Sequence, residues 1–267
     1  MRGVDDVGKH LGVKDLSVVV GMPVAVDQRT GELRFGEGIV AEPAQARGLD
    51  DLRSALADPN AGGPNPAYLL YRDVHRNVDA PTFNRARLRY DLTVTRPGTI
   101  GREFIKTAGH VHARSAQGTG YSEIYEVIHG QAVFLLQRSQ SGWNAQPAAS
   151  ETWLVLARSG DAIVIPADYA HVTINIGPEP LVVSDLVATA ALNRYDSLRE
   201  NRGAAWYVGP DRCSPTGLEI EANARYAPGP FPWVIANGVS RFRLNRPRIP
   251  LYRQAIASIG DFLFLTG

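Results

Sequence analysis

Apolar and polar residues alternate through the middle of the chain with the two-residue period of half-buried strands. LRYDLTVT at 88–95 sets Leu88, Tyr90, Leu92 and Val94 on one face. SEIYEVIHG and QAVFLLQ flank Gly130 in the manner of a hairpin. TWLVLA at 152–157, DAIVIP at 161–166, HVTINI at 171–176 and PLVVSDLVA at 180–188 follow, with Gly or Pro between them. Upstream, LSVVV at 16–20 and ELRF at 32–35 read as strands around a DQRTGE turn, and AYLLYRDV at 67–74 as another. GLDDLRSAL at 48–56 instead has helical spacing, with Leu49, Leu52 and Leu56 on one face. DPNAGGPNP at 58–66 and ARSAQGTG at 113–120 are loops. Residues 200–267 mix Pro-rich loops with a short helical pattern near LYRQAIASIGDFLFL. About eight short strands punctuated by turns predict a sandwich, jelly roll or barrel.

Composition narrows the class. The 267 residues include 28 Lys+Arg against 27 Asp+Glu, a formal charge of +1, so no net field recruits nucleic acid or an anionic membrane. One cysteine, Cys213, excludes an internal disulfide framework and any CxxC site. No apolar run is long enough for a bilayer. MRGVDDVGKH has no apolar stretch of a secretory signal, so a cytoplasmic protein without membrane or nucleic-acid partners is expected.

The candidate chemistry begins at His110-Val111-His112. On a strand, residues two apart share a face, so both imidazoles can reach one ion. Glu123 follows in the next strand, and His171 opens a later one just after a turn at Pro166. Three imidazoles and a carboxylate suit a divalent first-row metal. An isolated HxH is more often two surface histidines, so the wider spacing decides. Six residues separate Glu123 from Gly130; five separate Gly160 from Pro166; three separate His171 from Asn175.

Together these resemble the two motifs of the cupin superfamily, HxH…E-x6-G and G-x5-P-x-G-x2-H-x3-N. Asp168 stands where the second motif has its internal glycine, so that turn is expected to differ slightly. TRPGTIGREFIKTAGHVH at 95–112 further resembles the signature of the cupin-type glucose-6-phosphate isomerases, matching at Thr95, Gly98, Glu103, Lys106, Thr107, Gly109, His110 and His112. YSEIYEVIHGQAVFLLQ at 121–137 and IVIPADYAHVTINIGPEPLVV at 163–183 are similar to two more stretches of that family.

The resemblance implies a mainly β fold, a double-stranded β-helix (jelly-roll barrel) with N- and C-terminal extensions that include short helices. We divide it into N-terminal strands and helix at 1–84, a cupin core at 85–190 and a C-terminal extension at 191–267, one globular unit in all. It implies that His110, His112, Glu123 and His171 hold a divalent metal, Fe(II) foremost, with Mn, Ni or Zn as alternatives. It places Thr93, Thr107, Gly109 and a tyrosine of YLLYR, taken as Tyr71, by the sugar phosphate. Lys106 is either the cation beside that phosphate or a strand lysine facing solvent. Tyr125 shares the face of Glu123 and either touches substrate or fills the core. A segment resembling Y-P-A-x-A-G-x-D-Y is altered to DLVATAALNRYDS at 185–197. Tyr195 survives, the first tyrosine is lost near Leu186 or Val187, and a histidine becomes Asn193 or Arg194.

The implied reaction interconverts glucose 6-phosphate and fructose 6-phosphate, by proton transfer through an enediol with Glu123 as base or by a hydride shift. The partner is then a small sugar phosphate, and a homodimer is expected. Two rivals stand beside this reading: another metal-dependent cupin enzyme, such as a different sugar isomerase, epimerase or lyase or an Fe(II) oxygenase, and a sugar-binding cupin without activity. His75 and His129 match no ligand position, and Cys213 has no neighbouring base in sequence. The arginines of RFRLNRPR at 241–248 read as a solvated face or subunit contact.

Overall fold

Strands with one apolar and one polar face must stack to hide the first, and two stacked sheets account for most of this chain. A computed structural model describes residues 12–139, 149–226, 232–235, 242–244 and 249–267. A six-stranded sheet runs in the spatial order Ala162–Ile165, Glu123–His129, Leu181–Ala188, Leu88–Thr95, Tyr68–Tyr71, Gln45–Arg47. A four-stranded sheet runs Tyr169–Asn175, Gln131–Ser139, Ala149–Arg158, Trp233–Ile235. Tyr125, Val127 and Val183 of the first sheet pack against Phe134, Leu136 and Val155 of the second, which closes the barrel interior. The strands on either side of residue 85 therefore share one sheet.

The outer faces are covered as well. Leu88, Tyr90, Leu92 and Val94 face outward, under Val24 and Val26 of the N-terminal hairpin and Leu251, Tyr252 and Phe262 of the C-terminal helices. The carboxylate of Glu126 accepts the backbone N–H of Leu251 (2.9 Å) and so ties that helix to the barrel. On the other sheet, Val133, Leu135 and Leu154 meet Val208 and Leu218 of a hairpin, Trp206–Pro210 with Leu218–Ala222. With both faces covered, the polar side of Leu88–Thr95 is not solvated. Asp91, Thr93 and Thr95 are buried and point into the barrel.

Three local expectations change. LSVVV does not form a strand: Ser17–Val20 is one helical turn, begun by Asp15 accepting the Ser17 N–H (2.8 Å) and ended at Gly21 with φ +89°. A turn buries Leu16 and Val20, four apart, and leaves Val18 84% exposed. The strand that pairs with Leu33–Phe35 is Val24–Asp27. SEIYEVIHG and QAVFLLQ do not pair with one another either. Glu123–His129 bonds to Ala162–Ile165 and Leu181–Ala188, and Gln131–Ser139 bonds to Ala149–Arg158 and Tyr169–Asn175. Gly130, at φ +93°, carries the chain from one sheet to the other where a Cβ would lie 3.1 Å from Leu181 Cα. The third is the turn at Asp168, which keeps a left-handed φ of +69°. Arg114 grips the carboxylate with Nε (2.9 Å) and Nη2 and steadies the conformation a glycine adopts without cost.

The leucine pattern at 48–56 does form a helical turn, Leu49–Leu52, followed by a tighter turn over Arg53–Ala55. Asp51 accepts the Gly48 N–H at its start (2.8 Å). The tail pattern yields Leu251–Ala257 and Ile259–Thr266. Of RFRLNRPR, only Phe242, Arg243 and Leu244 are among the described residues, and Arg243 pairs with Asp161 (2.9 Å). No helix among the described residues is long and apolar enough to cross a membrane.

Candidate active site

The segment before the loop at 113–120 runs antiparallel to Tyr169–Asn175 at the edge of the four-stranded sheet. Thr107 N–H donates to the Thr173 carbonyl (2.9 Å), and His110 and His171 form a bridge. Gly109 lies between these contacts at φ +75°, where a Cβ would sit 2.6 Å from Val172 Cγ2. That close approach brings His110 and His171 side by side, with ring centroids 4.2 Å apart. Val111–His112 then pairs with Asn193–Arg194. Glu123 enters from the facing sheet.

The four side chains meet. His110, His112, Glu123 and His171 each offer an atom, all within 4.8 Å of one another. His171 Nε2 lies 3.1 Å, and His112 Nε2 3.5 Å, from Glu123 Oε2. The far nitrogens are oriented by carbonyls. His112 Nδ1 donates to Tyr121 O (3.2 Å), and His171 Nδ1 lies 3.5 Å from Tyr169 O. A carbonyl only accepts, so the His112 proton sits on Nδ1 and the Nε2 lone pair faces the cluster. His110 Nε2 and Glu123 Oε2 are buried with no well-aligned hydrogen-bond partner. Orphaned buried acceptors are costly, and a divalent cation is the partner that this N3O donor set fits.

Electrostatics point the same way. Burial, then the neighbouring His171, holds His110 well below its ordinary value, and burial likewise lowers His112. Both are neutral at pH 7, as metal ligation requires. Burial opposes the charge of Glu123, but the close approach of His171, and then of the other two imidazoles, outweighs it, so its carboxyl lies below the usual range. Asp185 next to it is pushed well up, first by burial and then by Glu123 and Asp91. The two neighbouring carboxyls are thus shifted in opposite directions.

The pocket over this cluster is lined by Thr93, Thr107, Gly109, Tyr125 and Tyr195, all named from the sequence. Tyr125 Oη is 3.4 Å from His171 Nε2. Two other named residues are elsewhere. Lys106 neither lines the pocket nor faces solvent. It is buried in an ion pair with Glu103, and its ammonium lies 5.0 Å from the Tyr207 ring centre. Glu103 is fixed in turn by the Ala57 N–H (2.7 Å). Tyr71 faces the outer core, where its hydroxyl accepts the Leu33 N–H (2.9 Å) and its ring packs on Phe35. Three residues apart on a strand means opposite faces, so Tyr68 is the tyrosine that lines the pocket. At 185–197 the alternation turns Leu186 outward, while Val187 pairs with Glu123 and Asn193 reaches the pocket.

Sequence reading passed over Arg72, Arg89, Asp91 and Asp185, which also line the pocket. Asp91 accepts from Arg89 Nε (2.8 Å), Arg72 Nη1 (3.3 Å) and the Asp73 N–H (2.9 Å). The signal was present: Arg89, Asp91 and Thr93 are the polar face of LRYDLTVT, and Asp185 is a charge inside an apolar run. His75 and His129 are packing residues, facing Phe83 and Glu179 respectively. Cys213 is exposed.

Two sheets, antiparallel but for the parallel edge strand Trp233–Ile235, closed into a barrel with three histidines and a glutamate gathered inside, define a cupin of the metal-centre type. The chain belongs to the glucose-6-phosphate isomerase (GPI) family, whose model matches residues 46–214. A glucose-6-phosphate isomerase of Thermococcus onnurineus (strain NA1) is 32% identical over 182 residues, 66% of this chain and 83% of its own. One from Thermococcus gammatolerans (strain DSM 15229 / JCM 11827 / EJ3) is 32% identical over 180 residues, with the same two shares. Among solved structures, an oxalate oxidase aligns with 51% of this chain and 59% of its own at 18% identity and a TM-score of 0.35.

Proposed function

We propose that this protein interconverts glucose 6-phosphate and fructose 6-phosphate with the help of a divalent metal held by His110, His112, Glu123 and His171. The observation that carries this reading is the convergence of those four donors beneath a pocket whose other wall offers Tyr68, Thr93 and Thr107. Bound there, the cation would supply Lewis-acid charge beside the sugar oxygens. Fe(II) is our first candidate, then Mn, Ni and Zn.

The chain's own residues supply the rest. Hydroxyls of Tyr68, Thr93 and Thr107 with the Gly109 N–H bind the phosphate as neutral donors. Glu123, ionised at neutral pH, takes the proton from C2 of the aldose (C1 of the ketose) and returns it to the other carbon, while the hydroxyl proton passes between O2 and O1 of the enediol, so that the two sugars differ only in where these two protons sit. Tyr125 positions the sugar against His171. The buried floor excludes water from the enediol. The working unit in this proposal is a cytoplasmic homodimer.

Chelator-stripped protein reloaded separately with Fe(II), Mn(II), Ni(II) and Zn(II) is assayed with fructose 6-phosphate. Metal-restored turnover, reduced about 10²- to 10⁴-fold by Glu123→Gln, supports the reading. Stoichiometric metal binding without turnover on any reload refutes it. A second reading, a different sugar phosphate on the same centre, is favoured by the charged Arg89, Asp91 and Asp185 in the pocket. A panel of aldose and ketose phosphates separates the two.

A further inference from the structure

The strand register places Glu123, Val187 and Arg89 in one row across three neighbouring strands, all on the inward face. Two strand spacings, about 10 Å, separate the outer members of that row. Val187 between them is short, so nothing large intervenes. Arg89 is aimed rather than free. Its Nε is held by Asp91 at 2.8 Å, and Asp91 is itself fixed by Arg72 and the Asp73 N–H. Among the described residues that is the one hydrogen bond Arg89 makes, which leaves both terminal nitrogens of its guanidinium to a ligand in the pocket.

Thr93 lies four residues along the same strand from Arg89, about 13 Å away in backbone distance. The pocket is thus asymmetric along its length. Neutral hydroxyl donors line the Thr93 and Thr107 end. At the other, the delocalised cation of Arg89 lies across from Glu123, with the Asp91–Arg72 pair and Asp185 between the two ends. An open-chain six-carbon phosphate laid between them puts its phosphate among the hydroxyls and its C1 and C2 oxygens next to Glu123 and Arg89.

Resting on the isomerase reading, we propose that Arg89, oriented by Asp91, is a substrate-contacting residue that recognises the oxygens at the C1 end and selects ligands carrying negative charge there. Removal of a proton by Glu123 moves charge onto those oxygens. A fixed guanidinium with two unused donors meets that charge without rearranging.

The test compares two ligands with the same phosphate and chain but different C1 groups: 6-phosphogluconate, a carboxylate, and sorbitol 6-phosphate, a hydroxymethyl. Calorimetry on metal-loaded protein gives both affinities for the parent, Arg89→Leu and Arg89→Lys. Metal content and melting temperature report whether each variant folds. Arg89→Leu weakens the carboxylate ligand about tenfold or more while sorbitol 6-phosphate changes less than about threefold, and Arg89→Lys falls between. Equal loss for both ligands, no loss for either, or a parent that binds neither overturns the inference. Fructose 6-phosphate turnover is measured alongside. An inactive parent that keeps the Arg89-dependent preference sinks the isomerase reading alone. An active parent without that preference sinks the role of Arg89 alone.

Discussion

His110 and His171 exchange both of their backbone hydrogen bonds, His110 N–H to His171 O at 3.2 Å and His171 N–H to His110 O at 2.9 Å. The pairing seats both imidazoles on one face of the barrel wall through backbone hydrogen bonds. The neutral histidines held there leave a mark on stability.

That mark is a pH dependence of the chelator-treated protein. The folded values of His110 and His112 lie below the ordinary 6.5. As pH falls through 6.5 the unfolded chain takes up protons that the folded chain refuses. Stability that is full above pH 6.5 is then lost by up to about 1.4 kcal/mol per pH unit for each imidazole. Denaturant melts between pH 5 and 8 should show this slope, with one imidazole's share missing in His110→Gln. A flat profile would mean that these rings are solvated in the metal-free protein.

The buried pair of Lys106 and Glu103 separates structure from catalysis. Lys106→Met leaves a buried carboxylate without its cation and should cost about 3–5 kcal/mol. The folded fraction should keep the parent kcat and KM, and Lys106→Met with Glu103→Gln should recover much of the stability. A loss of kcat at full stability would return Lys106 to the active site.

Tyr68 and Tyr71 make a matched comparison on one strand. Tyr71→Phe removes the bond to the Leu33 N–H and should cost about 1–2 kcal/mol of stability with unchanged kinetics. Tyr68→Phe should raise KM for the sugar phosphate several-fold and, giving up only the long bond from the Ala108 N–H (3.4 Å), leave stability within about 1 kcal/mol of the parent. The reverse assignment in steady-state kinetics and melts would show that the strand is turned over.

At Asp168 two small effects oppose each other. Asp168→Gly relieves the left-handed backbone but gives up the partly exposed pair with Arg114, so the net change should stay within about 0.5 kcal/mol. Asp168→Ala loses the pair and keeps the strain, at a cost of about 1–2 kcal/mol. Equal destabilisation by both in denaturant melts would assign the turn to the ion pair alone.

The sequence by itself determined the barrel and the four side chains that gather inside it. Period-2 alternation is local, and HxH, Glu123 and His171 sit at fixed offsets from the turns that their motifs require. It did not determine which way a polar face looks. Arg89 and Asp91 read as the wet side of a half-buried strand. They became pocket residues only because the N-terminal hairpin and the C-terminal helices cover the apolar side and turn the polar side inward. Lys106 and Tyr71 were misplaced for a related reason. A motif fixes position along the chain, whereas Glu103, Tyr207 and the Leu33 N–H, which fix where those two side chains go, are brought near by tertiary packing. The placing of Arg89 and Glu123 in one row across Val187 belongs to strand register, which is set by how whole sheets bury their faces and is written in no single segment.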